Sequence, residues 1–169
     1  QRLYAVIEVA EYRGVSGGGV VGFEISEEGR NLVFLNNQTT NGNHPCHLSL
    51  STSEDALFAA NYSGGSVSAY QVLKDGSLSE PTDFRQHQGS SVNLKRQEGP
   101  HAHMAHLTPD GRHLLVTDLG TDQLMVYQIN PQGKLALLKD RCLTLPAGSG
   151  PRHLAFSNSN KMMYLINEL

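Results

Sequence analysis

An internal repeat constrains this chain more than any other feature. Three stretches align without gaps: Ser51-Thr52-Ser53-Glu54-Asp55-Ala56-Leu57-Phe58-Ala59-Ala60-Asn61, Thr108-Pro109-Asp110-Gly111-Arg112-His113-Leu114-Leu115-Val116-Thr117-Asp118, and Ser157-Asn158-Ser159-Asn160-Lys161-Met162-Met163-Tyr164-Leu165-Ile166-Asn167. The spacing is 57 residues from Ser51 to Thr108 and 49 from Thr108 to Ser157. A partial copy, Leu3-Tyr4-Ala5-Val6-Ile7-Glu8, matches Met163-Tyr164-Leu165-Ile166-Asn167-Glu168. Each copy has the same order of parts. A short apolar strand (His47-Leu48-Ser49-Leu50, Ala105-His106-Leu107, His153-Leu154-Ala155-Phe156) meets a polar turn, and an apolar strand ending in Asn or Asp follows. A Gly-containing turn then leads to a strand that alternates apolar and polar, such as Ser66-Val67-Ser68-Ala69-Tyr70, and a further turn leads to a fourth strand. No stretch sustains a helical period.

Four short antiparallel strands per repeat of about fifty residues is the signature of a β-propeller blade. The predicted fold class is therefore all-β, a β-propeller fragment with about three four-stranded antiparallel blades. The repeat divides the chain into a partial blade at 1–40, blades at about 41–99 and 100–150, and a partial blade at 151–169. Closed propellers carry about 4–8 blades, and both ends of the chain read as strands already under way. The expectation is a piece of a longer protein, whose partner is the remaining half of the propeller or a second copy of the chain.

Charge and composition narrow the function classes. With a formal net charge of −3 and 17% charged residues, no basic face stands out to neutralise phosphates, so nucleic acid is not an expected partner. No run of 18 apolar residues occurs, so no helical membrane span is expected. Two cysteines, Cys46 and Cys142, are too few for a disulfide scaffold and read as free thiols. The opening residues lack the pattern of a signal peptide, and the expected compartment is the cytoplasm.

Two generic motifs occur by letter only. Gly17-Gly18-Gly19-Val20-Val21-Gly22 satisfies G-x-G-x-x-G, but Phe23-Glu24-Ile25 alternates like a strand where a dinucleotide site needs a helix N-terminus. Gly14-Val15-Ser16-Gly17-Gly18 satisfies G-x-S-x-G without the helix that a nucleophile elbow requires. Both read as a flexible inter-strand loop.

More informative is Gly99-Pro100-His101-Ala102-His103-Met104-Ala105-His106. Strand alternation places His101 and His103 on one face and His106 on the other. No cysteine pair or further histidine lies at zinc-ligand spacing, so no metal is expected. By the repeat, Cys46, His103 and Arg152 are equivalent, each at the start of a blade's first strand, which lines the channel of a propeller. A purely structural position would favour one residue type, whereas Cys, His and Arg point to blades specialised at one mouth of the channel. Asn61, Asp118 and Asn167 are likewise equivalent, with repeated turn hydrogen bonds as their competing explanation.

At these residues the sequence resembles the lactonase family of seven-bladed propellers, which includes bacterial propeller-type 6-phosphogluconolactonases and fungal carboxy-cis,cis-muconate cyclases. The carrying segments are Asn43-His44-Pro45-Cys46-His47, Asn61-Tyr62-Ser63-Gly64-Gly65-Ser66-Val67, Arg96-Gln97-Glu98-Gly99-Pro100-His101-Ala102-His103 and Pro109-Asp110-Gly111-Arg112. Asp118-Leu119-Gly120-Thr121-Asp122, Gly150-Pro151-Arg152-His153-Leu154 and Asn167-Glu168-Leu169 complete the series. The chain departs from the pattern at Ile7, opposite Asn167, and at Cys46.

The resemblance implies a catalytic His, Arg and Glu around the channel mouth, which by motif are His103, Arg152 and Glu168, with His101 as the competing histidine. His101, His47, Arg96, Asp118 and Asn61 are the candidate substrate contacts, and the resemblance further implies a small anionic lactone as ligand and no cofactor. Opening a lactone needs a water, a group to take its proton, and positive charge over the oxyanion. Glu168 or His103 suits the base, and Arg152 suits the oxyanion or an anionic group of the substrate. The implied activity is hydrolysis of a sugar lactone, first 6-phospho-D-glucono-1,5-lactone in the pentose phosphate pathway. A lactonising cyclase for a muconate-like diacid is the second reading, and a non-catalytic binding scaffold the third.

Overall fold

The computed structural model describes residues 1–26 and 29–169. The repeat becomes a row of antiparallel sheets. In the first, β1 (Arg2–Ile7) is followed by a small hairpin of β2 (Glu11–Tyr12) and β3 (Val15–Ser16), and then by β4 (Gly19–Ile25) and β5 (Leu32–Thr39), in the order β1-β4-β5. The second orders β6 (Pro45–Leu50), β7 (Ala56–Asn61), β8 (Ser66–Gln71) and β9 (Asp83–Gln86) as a simple meander. The third orders β10 (Ala102–Leu107), β11 (His113–Asp118), β12 (Gln123–Ile129) and β13 (Leu135–Leu137), with β14 (Leu143–Thr144) also on β12. The last pairs β15 (Pro151–Phe156) with β16 (Met163–Asn167). By its pairing, β1 stands where β7 and β11 stand in their sheets.

Sheet three splits its fourth strand into β13 and β14 around a single 3-10 turn, Lys139–Arg141. The Cys142 sulfur fills the break, taking the Val126 N–H at 3.4 Å and donating to the Leu138 carbonyl at 3.5 Å.

The two middle sheets bury both faces, which accounts for the unbroken apolar run of β7. Ala56, Phe58 and Ala60 face sheet three and pack with Ala102, Leu114 and Val116. Leu57 and Ala59 face sheet one and pack with Val20, Tyr70 and Leu78. A third apolar layer, built on Leu115, Leu124, Val126 and Leu154, joins sheet three to sheet four. The sheets therefore stack face to face, and the first strands β6, β10 and β15 lie side by side. At the two outer sheets, Leu32, Val33 and Phe34 on one side and Tyr164 and Ile166 on the other are exposed.

Two expectations are corrected here. The first strands are longer than the sequence suggests, beginning at Pro45, Ala102 and Pro151 rather than at His47, Ala105 and His153. The glycine-rich stretch is an ordered hairpin and not a flexible loop. Gly17, Gly18 and Gly19 are buried, the Gly18 N–H bonds the Gly42 carbonyl at 2.8 Å, and a Cβ on Gly18 would run into the Pro45 ring. Only glycine lets the hairpin lie this close to the start of β6.

Phe58 is fully buried between sheets two and three. Its replacement by alanine is expected to cost about 3–5 kcal/mol, read as a lowered urea midpoint in the full-length protein.

Candidate active site

Each of the three equivalent channel residues is a β-bulge. The pairing steps from Pro45 to His47, from Ala102 to Met104 and from Pro151 to His153, leaving Cys46, His103 and Arg152 unpaired in the ladder. A bulge adds a residue to one strand and re-aims its side chain. It also resets the alternation: on β10, Ala102, Ala105 and Leu107 are buried, while His103, Met104 and His106 fall on the less buried side. The placement of His103 and His106 on opposite faces is therefore corrected.

The bulges bring three groups together. Glu168, just beyond β16, accepts a hydrogen bond on Oε1 from Arg96 Nη2 at 2.5 Å. Its Oε2 lies 2.7 Å from Arg152 Nε and 3.9 Å from His103 Nε2. The Arg152 Nε–H donates to His103 Nε2 at 3.0 Å. That bond uses the Nε2 lone pair and puts the ring proton on Nδ1. Tyr62 packs edge-on against His103 with ring centroids 5.4 Å apart, and its hydroxyl accepts from Arg96 at 3.1 Å. The Cys46 thiol donates to the His103 carbonyl at 3.2 Å. These groups open onto a cavity of about 430 Å³, completed by Glu8 and His153. A groove of about 460 Å³ at the far ends of the strands, beside Asp55 and Arg112, includes no histidine.

The electrostatics sort the candidates for base. Hydrogen bonding from Arg96, reinforced by the Arg96 and Arg152 charges, holds the Glu168 carboxyl below the usual carboxylate range. Burial, and then the Arg152 charge, holds the His103 imidazole below its ordinary value. Burial and Arg152 do the same to His153. The Cys46 thiol is pushed up to about 12, by burial first and then by Glu8. At neutral pH the site holds two guanidinium groups, a carboxylate between them, a neutral imidazole and an un-ionised thiol.

His103, Arg152, Glu168 and Arg96 thus converge, but the other candidates do not line the cavity. The His101 ring stacks on Tyr62 at 4.7 Å, and its Nε2 lies 3.2 Å from Glu98, so it stands behind Tyr62. His47 follows its bulge on β6 and faces His153 with ring centroids 6.2 Å apart. Asn61 and Asp118 are fully buried. Asn61 Nδ2 donates to Ser66 and Ser68, each at 3.1 Å. Asp118 accepts the backbone N–H groups of His101, Gly120 and Thr121 at 2.9–3.1 Å, and His87 Nδ1 lies 2.6 Å away. The expectation that these two touch substrate gives way to a structural role, because burial leaves no path to a ligand.

Sequence reasoning missed Tyr62, Glu8 and Asp122. The signal for the first two was available: both hold the repeat position of Glu168. Asp122 acts from behind the site. It accepts Ser91 Oγ at 2.5 Å, Gln97 Nε2 at 2.8 Å, and the N–H groups of Gly148 and Gly150 at 2.7 Å each. Gln97 adjoins Arg96, while Gly150 leads into β15 and accepts the Glu168 N–H at 2.8 Å. One buried carboxylate therefore pins the segments bearing Arg96, Arg152 and Glu168. Although burial pushes its pKa up, these hydrogen bonds prevail and hold it low. Among the described residues, no group of three or more His, Cys, Asp or Glu is arranged to hold a metal.

The profile of the lactonase family, a seven-bladed β-propeller, matches residues 1–169. The chain belongs to that family. It is 37% identical over 158 residues to a Bacillus subtilis (strain 168) protein named 6-phosphogluconolactonase, covering 90% of this chain and 42% of the relative. A solved structure from Bacteroides fragilis superposes with a TM-score of 0.90 at 37% identity, covering 99% of this chain and 47% of that one. A Pseudomonas aeruginosa structure described as a periplasmic gluconolactonase gives a TM-score of 0.89 at 34% identity, covering 99% of this chain and 48% of that one. The chain spans about half the length of these lactonase relatives.

Burial holds His47 to about 4 in the fold, with His153, His106 and His103 adding like charge, against 6.5 when free. The unfolded chain then binds more protons than the fold between these values, so stability is full above pH 6.5 and falls as the pH drops towards 4. The thermal midpoint should fall over this window, and His47→Gln should flatten the slope. An equal slope in the variant counts against the assignment.

Proposed function

We propose that this chain forms part of a sugar-lactone hydrolase whose first substrate is 6-phospho-D-glucono-1,5-lactone. The observation that carries the reading is the Glu168 carboxylate held between Arg96 and Arg152, with neutral His103 3.0 Å from Arg152 Nε. The substrate carbonyl replaces His103 as acceptor of the Arg152 Nε–H and releases the His103 lone pair towards a water. His103 takes the proton as the water oxygen bonds to the carbonyl carbon, and Arg152 and Arg96 stabilise the oxyanion. Collapse breaks the ring C–O bond, and His103 returns the proton to the departing oxygen. Glu168 is the fixed counter-charge that keeps both guanidinium groups in place, and both its oxygens are already engaged, which argues against it as the base.

The exposed apolar side chains of β5 and β16 and the half-length match to the relatives support the remaining blades of the propeller as the chain's partner. Free Cys46 and Cys142 favour a cytoplasmic location. Among the described residues no helix is long and apolar enough to cross a membrane.

The test is hydrolysis of freshly prepared 6-phosphogluconolactone by the full-length protein. Arg152→Ala should lower kcat/KM at least tenfold, about 1.4 kcal/mol of transition-state stabilisation. An unchanged value in folded protein removes Arg152 from the mechanism. Because His103 acts as the neutral base and its pKa is depressed, activity should persist below pH 6.5 and disappear only as further acidification protonates it. An acid limb at or above 6.5, or one unmoved in His103→Gln, contradicts the role.

A further inference from the structure

We propose that Glu8 reads the hydroxyl groups of the lactone ring and so selects a polyhydroxylated lactone over a polyanionic one. This rests on the sugar-lactone reading and specifies how the same site recognises its substrate class. Glu8 follows β1 and occupies the repeat position held by Tyr62 in sheet two and by Glu168 in sheet four. It lines the same cavity as His103 and Arg152. The two carboxylates stand in opposite circumstances. Glu168 has both oxygens engaged by guanidinium groups. Glu8 is exposed, and no Lys, Arg or His of the described residues lies within 4.0 Å of its carboxylate. Its acceptor sites are therefore open to a ligand.

The charge count at the cavity leads to the same place. Arg96 and Arg152 are balanced by Glu168 and Glu8, and His103 is neutral, so this wall presents no surplus positive charge. A ligand with several carboxylates would meet Glu8 as a like charge with no cation paired to it among the described residues. Sugar hydroxyls are donors, and an ionised carboxylate is an acceptor with about four lone-pair sites. In a phosphosugar lactone, the ring then lies against this wall and the phosphate extends away from Glu8. Arg152 alone suits either class of anion; Glu8 separates them.

The experiment compares the full-length protein with its Glu8→Ala variant. The readouts are steady-state hydrolysis of 6-phosphogluconolactone and calorimetric binding of two probes, D-gluconate and citrate. Glu8→Ala should raise KM for the lactone at least fivefold while kcat changes less than threefold. It should weaken gluconate at least fivefold and tighten citrate at least fivefold. Opposite movement of the two probes is a result that a merely structural defect would not produce. Probe affinities that stay put or move in the same direction overturn the proposal. A parent protein that neither hydrolyses the sugar lactone nor binds gluconate sinks the sugar-lactone reading itself. A parent that does both, with Glu8→Ala unmoved, sinks only the role of Glu8.

Discussion

Sheets two and three are apolar on both faces, and everything at the site follows from covering those faces. Strand β7 sends Phe58 to one neighbour and Leu57 to the other, so neither face can be left to water. The economical solution is to stack each sheet against the next, which aligns the first strands β6, β10 and β15 along one wall. Residues 57 and 49 positions apart in sequence then meet as neighbours. His103 and Arg152 touch because the sheets that carry them share the apolar layer of Leu115, Leu124 and Leu154.

Stacking alone would leave these side chains in ordinary strand alternation. The bulges turn them to the mouth, and two buried carboxylates hold the result. Asp118 fixes the start of β10 through the His101 N–H. Asp122 fixes the loops that carry Arg96, Arg152 and Glu168. The consequence is an ion cluster whose members are restrained from behind, so that in the proposed reaction both guanidinium groups are held in place before charge develops. Such preorganisation is the main source of electrostatic catalysis. Among the described residues Glu8 has no such backing partner, in keeping with the proposal that it meets ligand rather than scaffold.

Much of this was legible in the sequence, and the reason is periodicity. The repeat establishes which residues are equivalent, and hence that Cys46, His103 and Arg152 share one place in three blades. Motif resemblance adds Glu168 and Arg96. The misses have a common cause. His101 and His103 differ by two positions, and alternation treats them alike until the bulge at His103 and the stacking of His101 on Tyr62 separate them. Asn61 and Asp118 look like site residues because short polar side chains end each apolar strand. Their burial is decided by neighbouring segments, and no local pattern reports it.

The sequence by itself determined the fold class, the strand order within each blade and the set of polar residues carried to one end of the strands. These follow from hydrophobic period and turn chemistry, which act over a few residues. Only the tertiary structure decided which of those residues face the cavity, that Glu168 is shared by two arginines, and that Glu8 is left without a cation among the described residues. The register of paired strands and the packing of one sheet on the next set these outcomes. Both depend on contacts between residues far apart in the chain, so a single sequence does not display them.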